Sequence, residues 1–500
     1  MSQKIKAYLT LENLVIFLIL AFALFLRIYK VEALLGFYYD QGRDALVVWR
    51  LWHEGRPFLI GPVSGLAGIF LGPFYYYLIA PFYLIGRGNP VYPAVWLAFL
   101  ATLGGYLVFL LGAKMHSKVA GYIGLIVSGF SFYIVTSARW LANPTPILLT
   151  SMVLLWSMWK IVNKGKSFWW IIATLMIGIS LQLESASAFF YLPLFLVFIV
   201  WQHKNLPAKK YLYWSVAIFL ATLVPQILFN FRHDNILFNN FKRVLIEEKS
   251  FRPNFWDVLA KRVDYFWTAA YSKIIPARPI ESGVFILLAA LGLLGAGAKL
   301  KKGLTLLLIF LAAPIVGITL FQGNFGNIYD YYLTGYYLPF ILLISIGLAE
   351  VWKLKFGKLI ILVFFLLFLK TNILMIKNYY VSAGHPPENE ITLGKEREAV
   401  NWIFNDANGK EFNVDVYVPP IIPYSYDYLF LWQGNNKCGA SLCGLVKDRQ
   451  LPLLYTLDEG IAGDWGKHFE WLTRQNKIGR VEETEKFGGI SVQRRTRIIK

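Results

Sequence analysis

Ile69-Phe70-Leu71-Gly72-Pro73-Phe74-Tyr75-Tyr76-Tyr77-Leu78-Ile79-Ala80-Pro81-Phe82-Tyr83-Leu84-Ile85 is the stretch on which the topology turns. It is apolar, yet Pro73 and Pro81 interrupt it, and a bilayer core of about 30 Å asks for about 20 apolar residues per helix. Stretches closer to that requirement recur at 13–29, 91–113, 119–137, 146–162, 168–183, 185–201, 211–230, 282–298, 304–321, 333–351 and 359–376. Lys4 and Lys6 precede the first of them. Basic loops then follow at Lys114/Lys118, Lys160/Lys164/Lys166, Lys204/Lys209/Lys210, Lys299/Lys301/Lys302 and Lys353/Lys355/Lys358. Short cytoplasmic loops collect Lys and Arg, and these clusters keep to one side only if 69–85 does not cross. That stretch is therefore expected to lie in the interface or to re-enter, its irregular backbone shielded by protein. The N-terminus is then cytoplasmic, and the loop around Asp40 and residues 384–500 are extracytoplasmic.

Composition supports a multi-pass protein of the cell (plasma or inner) membrane. Hydrophobic residues form 57% of the 500-residue chain and charged residues 16%, with mean hydropathy +0.50, values foreign to a soluble globule. The first apolar stretch lacks a small-residue cleavage site and reads as an uncleaved anchor. The net charge of +19 does not indicate nucleic acid: residues 1–383 hold 34 basic against 14 acidic residues, mostly in the loops that set orientation. The expected architecture is an all-α membrane domain, residues 1–383, with about eleven crossings plus juxtamembrane or re-entrant helices. A small α/β domain, residues 384–500, follows. In it, 398–405 reads as part of a helix with Val400, Ile403 and Phe404 on one side, and 412–418 alternates as a strand. Cys438 and Cys443, the only cysteines, are open to a structural bridge or to two free thiols.

Carboxylates beside a bilayer are costly and scarce, so those near outer helix ends should line a cavity. Asp40 and Asp44 stand four apart in Tyr38-Tyr39-Asp40-Gln41-Gly42-Arg43-Asp44. They share a face if a short helix starts there, with Arg43 and Arg50 as partners; alternatively Asp40 merely caps that helix. Glu54 and Asp330 are further outer-side acids. The turn Ser137-Ala138-Arg139-Trp140-Leu141-Ala142-Asn143-Pro144 places Arg139 where arginine is disfavoured, which fits either a bound anion or an interfacial anchor. Gln182 and Glu184 sit at the outer end of a helical hairpin, placed for a sugar or for loop closure. Arg232 and His233 open a long basic loop, residues 231–281, with an amphipathic helix near 255–270; such a loop suits a phosphate-bearing ligand, or is simply too long to obey the orientation rule.

The run Tyr39-Asp40-Gln41-Gly42-Arg43-Asp44-Ala45, followed by Leu59-Ile60-Gly61-Pro62, Leu71-Gly72-Pro73-Phe74-Tyr75-Tyr76-Tyr77, Ala80-Pro81-Phe82, Ser137-Ala138-Arg139 to Asn143-Pro144 and Phe231-Arg232-His233-Asp234, resembles the GT-C class of membrane glycosyltransferases. Within that class it is similar to the branch shared by protein O-mannosyltransferases and the lipid A aminoarabinose transferase. The order of motifs carries the resemblance, over most of residues 10–380. It implies a polyprenyl-phosphate sugar donor and a cavity on the exoplasmic side, with the first-loop acid at Asp40. The class's second acidic position falls near Asn143, which is not acidic, so no role for a second carboxylate carries over. The Trp-Trp-Asp motif of the oligosaccharyltransferase branch is absent, and residues 384–500 bring no function with them.

The chemistry stands on the residues as well. A carboxylate such as Asp40 can take the proton of an acceptor hydroxyl as that oxygen attacks the anomeric carbon. A lipid phosphate leaves readily and asks for cations such as Arg139, Arg232 or the basic loop. The expected function is an inverting transfer to a lipid, glycan or protein hydroxyl, with Asp40 catalytic. Arg43, Asp44, Arg139, Asn143, Gln182, Glu184, Arg232 and His233 bind substrate. The reaction calls for no cofactor and no metal site is assigned, though a divalent ion is compatible with it. The partners are the bilayer, the lipid-linked sugar and the acceptor. Competing readings are a flippase for lipid-linked sugars, which predicts charges in mid-helix and repeat symmetry, and an oligosaccharyltransferase-like enzyme.

Overall fold

The computed structural model describes residues 10–64, 68–243, 247, 255–295, 300–321, 328–382, 390–419, 422–439, 442–460 and 465–498. Six helices are long and apolar enough to cross a membrane: Leu11–Ile28, Val91–Met115, Lys209–Arg232, Lys301–Leu320, Asp330–Val351 and Gly357–Val381. The 119–137 stretch is not straight. It forms Lys118–Phe130 and Phe132–Ala138, bent by 63° at Ser131. Three further expected spans are helices of only 16 residues, Ile147–Val162, Phe168–Leu183 and Pro279–Leu294, each about 24 Å long at ~1.5 Å per residue and so shorter than the bilayer core. The 185–201 stretch is split into Ser185–Ala188 and Tyr191–Trp201. Helix length thus accounts for six of the eleven expected crossings, or seven with the bent pair. The 69–85 stretch forms the 12-residue helix Phe74–Ile85 with Pro81 inside it.

The bend has a local cause. Breaking the helix at Ser131 frees carbonyls, and the buried Arg27 donates to Ser128 O at 2.8 Å and Gly129 O at 3.0 Å. On the other side of the break, Phe132 N donates to Asn372 Oδ1 at 2.7 Å. Side chains from two other helices thereby satisfy the orphaned backbone groups, the condition for irregular backbone at membrane depth.

The four described strands lie near the C-terminus: β1 Asn413–Tyr417, β2 Leu453–Asp458, β3 Gly479–Phe487 and β4 Ile490–Arg497. Their order is β1-β2-β4-β3, with β1 and β2 parallel and the other pairs antiparallel. The expected helix near 398–405 runs longer, Leu393–Ala407, and buries Val400, Ile403 and Phe404 as anticipated. Cys438 and Cys443 form a disulfide that closes the end of the Tyr424–Cys438 helix. The expected domain boundary near 383 lies outside the described residues, as do Lys4, Lys6 and Lys299.

Candidate active site

The helix expected at Asp40 is Tyr39–Glu54. Tyr38 occupies its cap, donating its N–H to Gln41 Oε1 at 3.1 Å, so Asp40 stands in the first turn and not at the cap. Asp40 and Asp44 meet different fates on the shared face. The Asp40 side chain is 61% exposed and that of Asp44 only 5%. Arg43 joins them: its Nη1 reaches Asp40 Oδ1 at 2.8 Å, while Nε and Nη2 donate to Asp44 Oδ1 at 3.0 and 2.8 Å. Tyr76 on the Phe74–Ile85 helix donates its hydroxyl to the same oxygen at 3.0 Å. Burial pushes the Asp44 carboxyl up to about 6 even against the pull of Arg43. The result is an exposed carboxylate held by a cation whose own direction is set from behind. Asp40 Oδ2 has no partner among the described residues.

Hydrogen bonds from neighbouring turns fasten this helix to the bundle. Gln41 Nε2 donates to Leu141 O at 3.2 Å, and Asn143 Nδ2 to Leu183 O at 2.6 Å. Gln182 is buried and bridges two elements, accepting from Phe74 N at 3.1 Å and donating to Thr222 O at 2.6 Å. The chain passes close to it at Gly72, where a Cβ would stand 2.3 Å from Gln182 Cγ. Glu184 caps the next helical turn by accepting from Ala186 N at 2.9 Å. Burial raises its carboxyl to about 7. Gln41 thus ties the Asp40 helix to the Asn143 turn, Asn143 ties that turn to Leu183 beside Glu184, and Asp44 joins the Phe74–Ile85 helix through Tyr76. Gln41, Asn143 and Gln182 hold backbone, so their geometry describes scaffolding.

The cations divide. Arg139 is buried and turned inward: its Nη1 donates to Arg27 O at 2.7 Å and Tyr29 O at 2.8 Å, and its guanidinium lies over the rings of Tyr379 and Tyr380. It closes the end of the first long helix. Arg232 is exposed at the end of the Lys209–Arg232 helix. His233, also exposed, stacks on Phe229 with ring centroids 4.0 Å apart and meets Phe229 O through Nδ1 at 2.8 Å. Of the basic-loop residues, Lys249 and Arg252 lie outside the described residues.

Two participants were not singled out from the sequence. Tyr76 was one of three consecutive tyrosines, and nothing in the run tells which hydroxyl faces a carboxylate. Lys273 was one of nine bases in the long loop, but it is buried, 3.3 Å from Asp330 Oδ2, with Nζ 4.3 Å from the Tyr337 ring centroid and 5.0 Å from that of Tyr133. Burial lowers its pKa, and Asp330 opposes that. Beside Glu184 an apolar groove of about 680 Å³ opens between the Tyr191–Trp201 and Lys301–Leu320 helices, lined by Ser185, Phe190, Val197, Ala313 and Tyr332 among others. Among the described residues no group of three or more His, Cys, Asp or Glu is placed to hold a metal ion.

Residues 71–229 match the family described as dolichyl-phosphate-mannose-protein mannosyltransferase. No curated protein matches by sequence. Among solved structures, ArnT from Cupriavidus metallidurans in the apo state is similar over 97% of this chain and 98% of its own, with TM-score 0.61 and 12% identity. The same protein bound to undecaprenyl phosphate aligns over 95% and 97%, with TM-score 0.57 and 11% identity. The matched segment covers the Phe74–Ile85 helix, the Arg139 turn and the Glu184 turn, and the structural match extends through the sheet. The chain thus has the fold of the GT-C membrane glycosyltransferases and resembles, within that class, the branch of the protein mannosyltransferases and the lipid A aminoarabinose transferase.

Proposed function

We propose that the protein transfers a sugar from a polyprenyl-phosphate donor to an acceptor hydroxyl on the extracytoplasmic face, with inversion at the anomeric carbon. The observation that carries this reading is the Asp44–Arg43–Asp40 chain, which ends in an exposed carboxylate fixed at a rigid helix start. Asp40 takes the acceptor proton through its free Oδ2 as the acceptor oxygen forms its bond to the anomeric carbon. The bond from that carbon to the phosphate oxygen breaks, and the lipid phosphate leaves with the electron pair. Asp44 and Tyr76 direct Arg43, and Arg43 directs Asp40. The apolar groove beside Glu184 is of a size and lining suited to part of an isoprenoid chain. Arg232, exposed at the end of its helix, is the cation assigned to phosphate. The likeness to a protein whose structure holds undecaprenyl phosphate supports this donor class, and the match to a family described by a lipid-phosphate mannose donor supports it independently. The Cys438–Cys443 disulfide supports an oxidising compartment for the C-terminal domain.

The test is reconstitution with a radiolabelled polyprenyl-phosphate hexose, following label into acceptor and the anomeric configuration of the product. Label that appears in an acceptor with inverted configuration sustains the proposal. Label that only changes membrane leaflet, chemically unaltered, replaces it with lipid-linked sugar transport.

A further inference from the structure

The outer edge of β1 is unfinished. Phe412 spends its N–H on Gly444 O and accepts from Val446 N on its C=O, both at 2.9 Å, forming a short parallel bridge on the side away from β2. Backbone groups alternate between the two edges of a strand, and Tyr417 O faces β2, where it accepts from Glu459 N. The N–H and C=O groups of Val414 and Val416 therefore face outward like those of Phe412, and neither residue has an outward partner among the described residues. The bridge stops because Asn413 pulls the following loop aside, donating to Val446 O at 2.8 Å and Arg449 O at 2.9 Å. A cavity of about 560 Å³ opens where the next strand would continue, with Val414 and Val416 on one side and Tyr426, Phe430 and Lys447 among the other walls.

We infer that this slot binds an extended polypeptide segment of the acceptor by strand addition to β1, and that the acceptor is a protein. The inference rests on the proposed glycosyl transfer for its meaning but not for its geometry. Two donor–acceptor pairs spaced two residues apart, about 6.6 Å, match the repeat of another strand; the hydroxyls of a glycan have no such repeat. Three acids, Asp415, Asp427 and Asp448, and three bases, Lys447, Arg449 and Arg497, line the cavity, so it selects for extended backbone over net charge. Position ties the slot to the site. Its helical wall begins at Pro423, and the next two residues touch the helix that carries Asp40: the Tyr424 ring packs at a tilt against that of Tyr39 with ring centroids 4.9 Å apart, and Ser425 lies against Gly42. The wall of the slot and the helix carrying Asp40 are thus in direct contact.

The probe is a fluorescent peptide of about eight alternating serine and valine residues, measured by anisotropy with the full-length protein in detergent. Binding needs no sugar donor, so this assay is independent of transfer. Two N-methylated versions block every second amide in opposite registers. The version methylated on the amides that face β1 is expected to bind about tenfold or more weakly than the unmodified peptide, and the other to bind like it. Val446→Trp, which fills the slot from its wall, and Val416→Pro, which removes one outward donor, are each expected to weaken binding similarly with unchanged thermal unfolding of the protein. Equal binding by both methylated peptides, no binding, preferential binding of a mannose oligosaccharide, or a protein dimer abolished by Val446→Trp would each overturn the inference. Peptide binding without transfer from a polyprenyl-phosphate sugar would instead leave the slot standing and remove the proposed reaction.

Discussion

A Cβ on Gly42 would stand 2.3 Å from the backbone nitrogen of Ser425, so the helix carrying Asp40 and the first turn of the Tyr424–Cys438 helix meet backbone to backbone. Around that contact Leu393 N donates to Leu35 O at 2.8 Å, Trp432 Nε1 to Arg87 O at 2.9 Å, and Arg397 pairs with Glu32. The Tyr39–Glu54 helix is thus gripped between the bundle and the C-terminal α/β segment.

Gly42→Ala should force the two helices apart and destabilise the protein by about 1–3 kcal/mol, the cost of overpacking a tight contact. Thermal unfolding of purified protein, with proteolysis to follow release of the C-terminal segment, reads this out. Wild-type melting would show that the two backbones are not in contact.

Asp40→Asn keeps shape but removes the base. Transfer should fall by about 10² or more, with donor binding and melting temperature unchanged. Near-normal turnover would eliminate Asp40 as the base.

Because burial sets the Asp44 carboxyl near 6, it is ionised above that pH and protonated below it. Protonation weakens its hold on Arg43, so transfer should decline as pH falls through about 6. Asp44→Asn should be slower at neutral pH and should lose this acid limb; a variant retaining the limb would assign it to another group.

Glu396 and Glu459 are buried in the C-terminal α/β segment, and burial raises both carboxyls, Glu459 to about 7 and Glu396 well above its usual range. Acids whose folded pKa exceeds the unfolded value stabilise most when protonated, so this contribution is complete below about 4.5 and is lost as pH rises through about 7. The melting temperature should therefore fall as pH rises from about 4.5 through about 7. Glu396→Gln should flatten that slope, and an unchanged slope would refute the assignment.

The two arginines of the outer turns should separate. Arg139→Ala leaves carbonyls of the first long helix without a donor and should cost about 2–4 kcal/mol of stability. Arg232→Ala should leave unfolding unchanged and weaken donor use by about 1.5–3 kcal/mol, the scale of a charge-assisted bond to phosphate. Transfer kinetics beside thermal unfolding distinguish them, and an unchanged donor dependence in Arg232→Ala would exclude that contact.

The sequence by itself determined the membrane class and an amphipathic helix near 255–270, and it drew attention to Asp40 and Asp44 as scarce carboxylates that share a face if a helix starts there. Each follows from local or compositional physics: apolar length, helical periodicity, and the cost of a charge near lipid. Only the tertiary structure decided which of the two carboxylates is buried, because that depends on Tyr76, 32 residues further along the chain. It likewise decided that Arg139 turns inward to carbonyls more than 100 residues away, and that Lys273 is buried against two tyrosine rings. A side chain's charge and reach are local properties, but its partner is set by how distant helices cross, and the sequence periodicities record only which face each helix turns inward.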